Sequence, residues 1–222
     1  KHTLVHQLDA LAAWRRTLDR RVRSLAHFMA ENELLDASAG PTIEALQRKL
    51  AADKLVLACV AEVSRGKSEL LNAIFFADTG RRVLPATPGR TTMCPVELQF
   101  NAGQAPELAL LPIDTRLGGP SLAELRAQPE AWQRLSLDPR NADGLAEALM
   151  LVTQTRRVST AQAEALGFWS DSHPDDNPPR LDDGNVEVPA WRHALINYPH
   201  PLLQRGLVVI DTPGLNAVGA EP

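Results

Sequence analysis

Apolar residues recur at alternating spacings of four and three through Leu4, Leu8, Leu11, Leu18, Val22, Leu25 and Met29. Arg15 takes the one missed step, next to Trp14. This pattern predicts a single helix over residues 2–36 with a seam of period 3.5, packed against other helices. Such a helix is long for a globular domain. Asp36-Ala37-Ser38-Ala39-Gly40-Pro41 breaks it, and Thr42 opens a shorter helix with Ile43, Leu46 and Leu50 on one face.

The pattern then changes period. Leu55 to Val60 is a continuous apolar run, which predicts a buried strand, and it stops at Ala61. A loop of small and polar residues follows, and Gly66-Lys67-Ser68 opens a second helical segment. Residues 81–95 are a loop by their proline and glycine content. Val96 to Phe100 and Glu107 to Pro112 read as two strands joined through Asn101-Ala102-Gly103-Gln104, a hairpin. Residues 113–193 are an insertion with weaker signals. Ser121 to Gln128 and Gly144 to Gln154 look helical, and Ser159-Thr160-Ala161-Gln162 fits a capping box for a helix over Thr160 to Leu166. Residues 170–184 carry five aspartates and three prolines with little that is apolar, which predicts a mobile acidic loop. Ala194 to Tyr198 and Gly206 to Ile210 read as strands, the second running into Asp211-Thr212-Pro213-Gly214.

Ala61 to Ser68 matches [AG]-x-x-x-x-G-K-[ST], a Walker A loop, in the strand–loop–helix context that the motif requires. Its backbone N–H groups converge on a polyphosphate, so nearby side chains must be small. Gly66 lets the phosphate approach, Lys67 reaches the outer phosphates, and the Ser68 hydroxyl is suited to Mg²⁺. A carboxylate closing a buried strand faces the crevice where α/β sheets bind ligands, so Asp211 is placed to hold the Mg²⁺ shell through water. Gly214 lets its N–H approach the terminal phosphate. Alone, D-x-x-G is a weak signal; behind a Walker loop it is a strong one.

With 222 residues and 44% apolar content, the chain can bury a proper core. A net charge of -4 argues against direct nucleic-acid binding. Cys59 and Cys94 make no disulfide framework, which points to reduced thiols in a cytoplasmic protein. Arg15, Arg16, Arg20, Arg21 and Arg23 read as a solvated face, with peripheral contact to an acidic membrane as the sharper alternative. Gln7-Leu8-Asp9-Ala10-Leu11 approximates a sliding-clamp-binding peptide, but its leucines already belong to the helical seam. His173, Asp175 and Asp176 lack a frame for a metal site.

Ala61 to Ser68, Gly89-Arg90-Thr91-Thr92-Met93-Cys94-Pro95 and Leu207 to Gly214 together resemble the first three nucleotide motifs of the dynamin-like large GTPases, most closely the bacterial branch. The resemblance implies an α/β P-loop fold, a mixed sheet flanked by helices, over residues 41–222. It also implies a neck-bundle helix over residues 1–40. It implies GTP as substrate and GDP as product, Mg²⁺ as cofactor, a homodimer through the GTPase face, and coupling to helical-bundle movement, usually at membranes. On it, Lys67 is the phosphate-binding lysine and Ser68 a Mg²⁺ ligand. Thr92, with Thr91 as the alternative, is the switch threonine that ligates Mg²⁺. Ser64 helps hold a charge-compensating K⁺ or Na⁺. Lys67, Ser64 and Thr92 are thus the catalytic set, and Glu62, Val63, Ser64, Arg65, Gly66, Lys67, Ser68, Glu69, Asp211 and Gly214 the nucleotide-binding set.

Some positions depart from the family pattern. Ala61 replaces a glycine, Val63 stands where some dynamins carry glutamine, and Leu215 follows Gly214, so no glutamine there orients water. Arg65 is placed to act on phosphate charge in cis or across a dimer, or to be a solvated loop residue. The guanine-reading [NT]-K-x-D motif does not occur after Gly214. A longer chain is therefore expected to supply the later strands, the base-recognition loop and the helices that cover the N-terminal seam. Two alternatives stay open: an ATP-using P-loop enzyme, and a non-hydrolysing, nucleotide-gated interaction module.

Overall fold

The computed structural model describes residues 2–34, 39–51, 54–60, 66–85 and 94–212. Helix α1 (His2–Glu31) is followed by α2 (Ala39–Ala51), against which it packs. Its end comes earlier than the periodicity predicts. The Asn32 amide donates to the Phe28 carbonyl at 2.8 Å, and Glu33 turns left-handed at φ 56°. Leu34 N–H then closes on the Met29 carbonyl at 2.8 Å. These bonds satisfy the last carbonyls and stop the helix. Arg15 explains its break in the seam: its guanidinium donates to the Lys54 carbonyl at 3.2 Å. Leu8 is buried in the core, so Gln7 to Leu11 does not stand open as a clamp-binding peptide.

The rest of the chain runs β1 (Leu55–Cys59), α3 (Lys67–Phe75), β2 (Val96–Gln99), β3 (Glu107–Pro112), α4 (Leu122–Arg126) and β4 (Gln133–Ser136). It continues through α5 (Ala142–Met150), β5 (Thr155–Val158), α6 (Thr160–Ala165), β6 (Val186–Pro189), β7 (Trp191–Asn197) and β8 (Leu207–Asp211). A mixed six-stranded sheet has the order β1-β8-β2-β7-β3-β4, and β5 pairs with β6 separately. Alternation along the strands divides the two faces. Val96, Leu98, Leu108, Leu110, Ala194 and Ile196 join the main core with Leu71 and Phe75 of α3. On the other face Ala109, Leu111, Leu125 and Trp132 form a smaller cluster.

Two strand expectations are corrected. Strands β2 and β3 are not a hairpin, because β7 lies between them, parallel to β2 and antiparallel to β3. The connecting turn wraps the end of β7: Asn197 accepts from Asn101 N–H at 2.8 Å and donates to the Ala105 carbonyl at 2.9 Å. An interior strand with both faces covered suits the almost wholly buried β7. Strand β1 is not buried either. Among the described residues it has β8 as its only strand partner, and Val56 is 59% exposed. Its two-sided apolar pattern is that of an interior strand, but burial depends on neighbours the pattern does not name.

Strands β4, β5 and β6 escaped the sequence reading because each has four residues, β4 is mostly polar and β5 carries two arginines. The acidic stretch is also more ordered than expected. Ser170 N–H donates to the Asn177 side chain at 2.8 Å, Asn177 returns a bond to the Ser170 carbonyl at 2.9 Å, and the Arg180 guanidinium lies over the Trp169 ring.

An ion cluster lies on the second face, with Glu97 and His193 buried and Arg126 at the surface. Arg126 grips both oxygens of Glu97, and His193 Nε2 stands 3.4 Å from Glu97 Oε2. Burial alone would raise the Glu97 pKa, but His193 and Arg126 outweigh it and hold it at about 2. The depressed folded-state pKa means this group adds stability above its ordinary value of 4.5 and loses it as pH falls towards about 2. Urea melts should therefore show a steep loss of stability across that window, and Glu97→Gln should flatten it. An unaltered acid limb in the variant would exclude this cluster as its cause.

Candidate nucleotide site

The C-terminal ends of β1 and β8 lie side by side, with Cys59 in register with Asp211. Helix α3 starts just beyond β1 and covers the face to which Asp211 points. Gly66 takes φ 82°, a left-handed conformation that strains any residue with a Cβ, and its carbonyl accepts the first helical bond from Leu70 N–H at 2.9 Å. Gly66 has no side chain to cap α3. The first-turn N–H groups, Lys67 and Ser68 among them, have no side-chain cap among the described residues and lie at the positive end of the helix dipole. Such a helix end suits an anion.

Ser68 Oγ donates to Asp211 Oδ2 at 2.9 Å, both residues being buried. Asp211 is 3% exposed, and its Oδ1 has no hydrogen-bond partner among the described residues. Burial raises the Asp211 pKa, while the Ser68 bond and the Lys67 charge pull it down. Cys59 responds in the same way: burial and the Asp211 charge raise its thiol, and Lys67 lowers it. Lys67, Ser68, Cys59 and Asp211 thus form one electrostatic unit. A buried carboxylate oxygen without a donor, beside a hydroxyl and at the rim of an anion site, fits a hard divalent cation with oxygen ligands.

Glu69 does something else. Its carboxylate pairs with Arg82, at the far side of the first turn. Glu62, Val63, Ser64, Arg65, Thr92 and Gly214, with Ala61 and Thr91, lie outside the described residues.

The structure adds one residue that the sequence reading passed over. Asn72, buried on α3, uses its whole side-chain amide on the segment after the helix. Its Oδ1 accepts from Val83 N–H at 2.9 Å and Leu84 N–H at 2.8 Å, and its Nδ2 donates to the Leu84 carbonyl at 2.8 Å. An amide on the apolar face of a short helix, between Leu71 and Ile74, was the signal available.

A profile described as the dynamin family matches residues 57–221, well over half of the chain. Two solved structures are similar, both titled as an oligomerised bacterial dynamin pair that provides a mechanism for long-range sensing and tethering of membranes. One has 13% identity and a TM-score of 0.36, covering 91% of this chain and 30% of that one. The other has 11% identity and a TM-score of 0.34, covering 92% of this chain and 29% of that one. This chain therefore spans about 30% of their length. The search of curated proteins returned no match.

Proposed function

The chain belongs to the dynamin family, and from that premise we propose that it carries the nucleotide-binding part of a Mg²⁺-dependent GTPase. The observation that supports this best is the Ser68–Asp211 bond at 2.9 Å beside Lys67 and the open N-terminus of α3. It joins two motifs 143 positions apart at one rim of the sheet. Ser68 and Asp211 would hold Mg²⁺, Asp211 through water, with Thr92 completing the set. When bound, Mg²⁺ neutralises charge that builds on the phosphate oxygens.

The chain's own residues do the rest by position and charge, since phosphoryl transfer asks little covalent work of a protein. Lys67 and the first-turn amides of α3 hold the outer phosphates. Burial pushes the Asp211 carboxyl up, while the Ser68 bond and the Lys67 charge work the other way and favour its anionic form. By the family pattern Glu62, Val63, Ser64, Arg65 and Gly214 would complete the nucleotide site, with Ser64 serving a monovalent cation, while the Glu69 carboxylate is taken by Arg82. The finer reading follows the family pattern: residues 41–222 as GTPase domain, residues 1–40 as neck helix, a homodimer through the nucleotide face and peripheral membrane contact. No helix among the described residues is long and apolar enough to cross a membrane.

The test is turnover of GTP and ATP, with and without Mg²⁺, in K⁺ and in Na⁺, at rising protein concentration. GTP-selective hydrolysis that steepens with concentration is expected. Nucleotide binding without turnover would favour the gated interaction module, and ATP preference the other P-loop class. Asp211→Asn keeps the size and the Ser68 contact but removes the charge. It should raise the Mg²⁺ concentration for half-maximal turnover by about tenfold or more. Because the Asp211 pKa is raised, the Mg²⁺ concentration for half-maximal turnover in the parent should start to climb on acidification sooner than for an ordinary carboxylate. An unchanged Mg²⁺ curve in Asp211→Asn would remove Asp211 from the metal site.

A further inference from the structure

At the other end of β8 from Asp211, a cavity of about 570 Å³ opens between α1 and the sheet. It is roughly 16 Å from the nucleotide site, the length of a five-residue strand. Three cations from three separate elements line it: Arg16 from α1, Lys54 from the lead into β1, and Arg205 from the turn before β8. Among the described residues Asp9 is the one carboxylate in the wall, and Phe100 and Leu203 supply apolar surface. Excess positive charge here contrasts with a chain of net charge -4. Arg205 is held by Asp9 at 3.0 Å and by the Pro201 carbonyl at 2.9 Å, and Lys54 donates to Gln99 Oε1 at 2.8 Å. Arg16 has no hydrogen-bond or ion-pair partner recorded among the described residues.

We propose that this cavity binds a small organic phosphate ester. Arg16, Lys54 and Arg205 take the phosphate, and Phe100 and Leu203 take the carbon part. The volume is that of a small-molecule pocket and exceeds what a lone inorganic anion would fill. Two guanidinium forks and an ammonium approaching from different sides suit a multiply charged tetrahedral group better than a single carboxylate. The ligand competes with Asp9 for Arg205, so occupancy loosens the ion pair that ties α1 to the sheet. The site does not depend on the nucleotide reading, since none of its residues belongs to that site.

Calorimetric titration of glycerol 3-phosphate is done in a Lys67→Ala background, where the nucleotide site no longer competes. Saturable binding is expected. Adding Arg16→Ala and Lys54→Ala should weaken it about tenfold or more, as loss of charged hydrogen bonds does. Asp9→Asn should instead tighten it, an outcome that misfolding does not produce. A second arm measures co-sedimentation with vesicles containing phosphatidic acid, a phosphate monoester, against phosphatidylcholine vesicles. Binding that requires phosphatidic acid and Arg16 identifies a lipid headgroup as the source; solution binding alone identifies a free ester. No saturable binding of either probe, or binding indifferent to Arg16, Lys54 and Asp9, overturns the proposal.

Discussion

Lys67→Ala is expected to lower the proposed GTP turnover by at least about a hundredfold, the scale on which a single positioned charge acts on developing phosphate charge. Lys67 is the first residue of α3, half-buried, and its charge reaches both Asp211 and Cys59. Truncation removes that charge where the outer phosphates would sit. It also leaves the buried Asp211 with only the Ser68 bond to favour its anionic form. Lys67→Arg should not restore activity, because a planar fork does not replace a compact ammonium in a close-fitting loop. Urea melts of the alanine variant serve as the control, since a half-exposed residue at a helix start contributes little to the core. Turnover equal to the parent would end the enzyme reading.

Asn72→Ala unfolds the chain more readily than any surface change, costing about 3 kcal/mol or more. The estimate follows from three buried backbone groups, Val83 N–H, Leu84 N–H and the Leu84 carbonyl, each losing its partner at about 1–3 kcal/mol, less some relaxation. That is a large share of a typical domain's stability. Asn72→Asp separates the terms: it keeps both acceptor bonds but sets a carboxylate oxygen against the Leu84 carbonyl, so it should destabilise at neutral pH and recover on acidification, when its O–H can donate to Leu84. The midpoint and slope of urea unfolding give the answer. If Asn72→Ala is as stable as the parent, the amide is not holding residues 83 and 84 against α3.

The elements around the nucleotide site were legible because their signals are local. The apolar run before Ala61, the glycine that α3 requires at Gly66, and the run before Asp211 each show within a few residues. The capping box at Ser159 is likewise local, since it closes on Gln162 three positions on. Asn72 was missed because its partners lie 11 and 12 positions away, across a segment with no periodic pattern. The basic cavity was missed for a similar reason: Arg16, Lys54 and Arg205 are meaningless as a group until the sheet and α1 bring them together.

Backbone sterics and side-chain period act over one or two turns of chain, so the sequence by itself determined the longer helices, the strands that run into Ala61 and Asp211, and that Gly66 opens α3. Strand order did not follow. The insertion of β7 between β2 and β3, the exposure of β1, and the approach of Ser68 to Asp211 all rest on pairing between remote segments. Which pairing wins depends on how apolar faces and buried polar groups satisfy one another at once, and only the tertiary structure decides that.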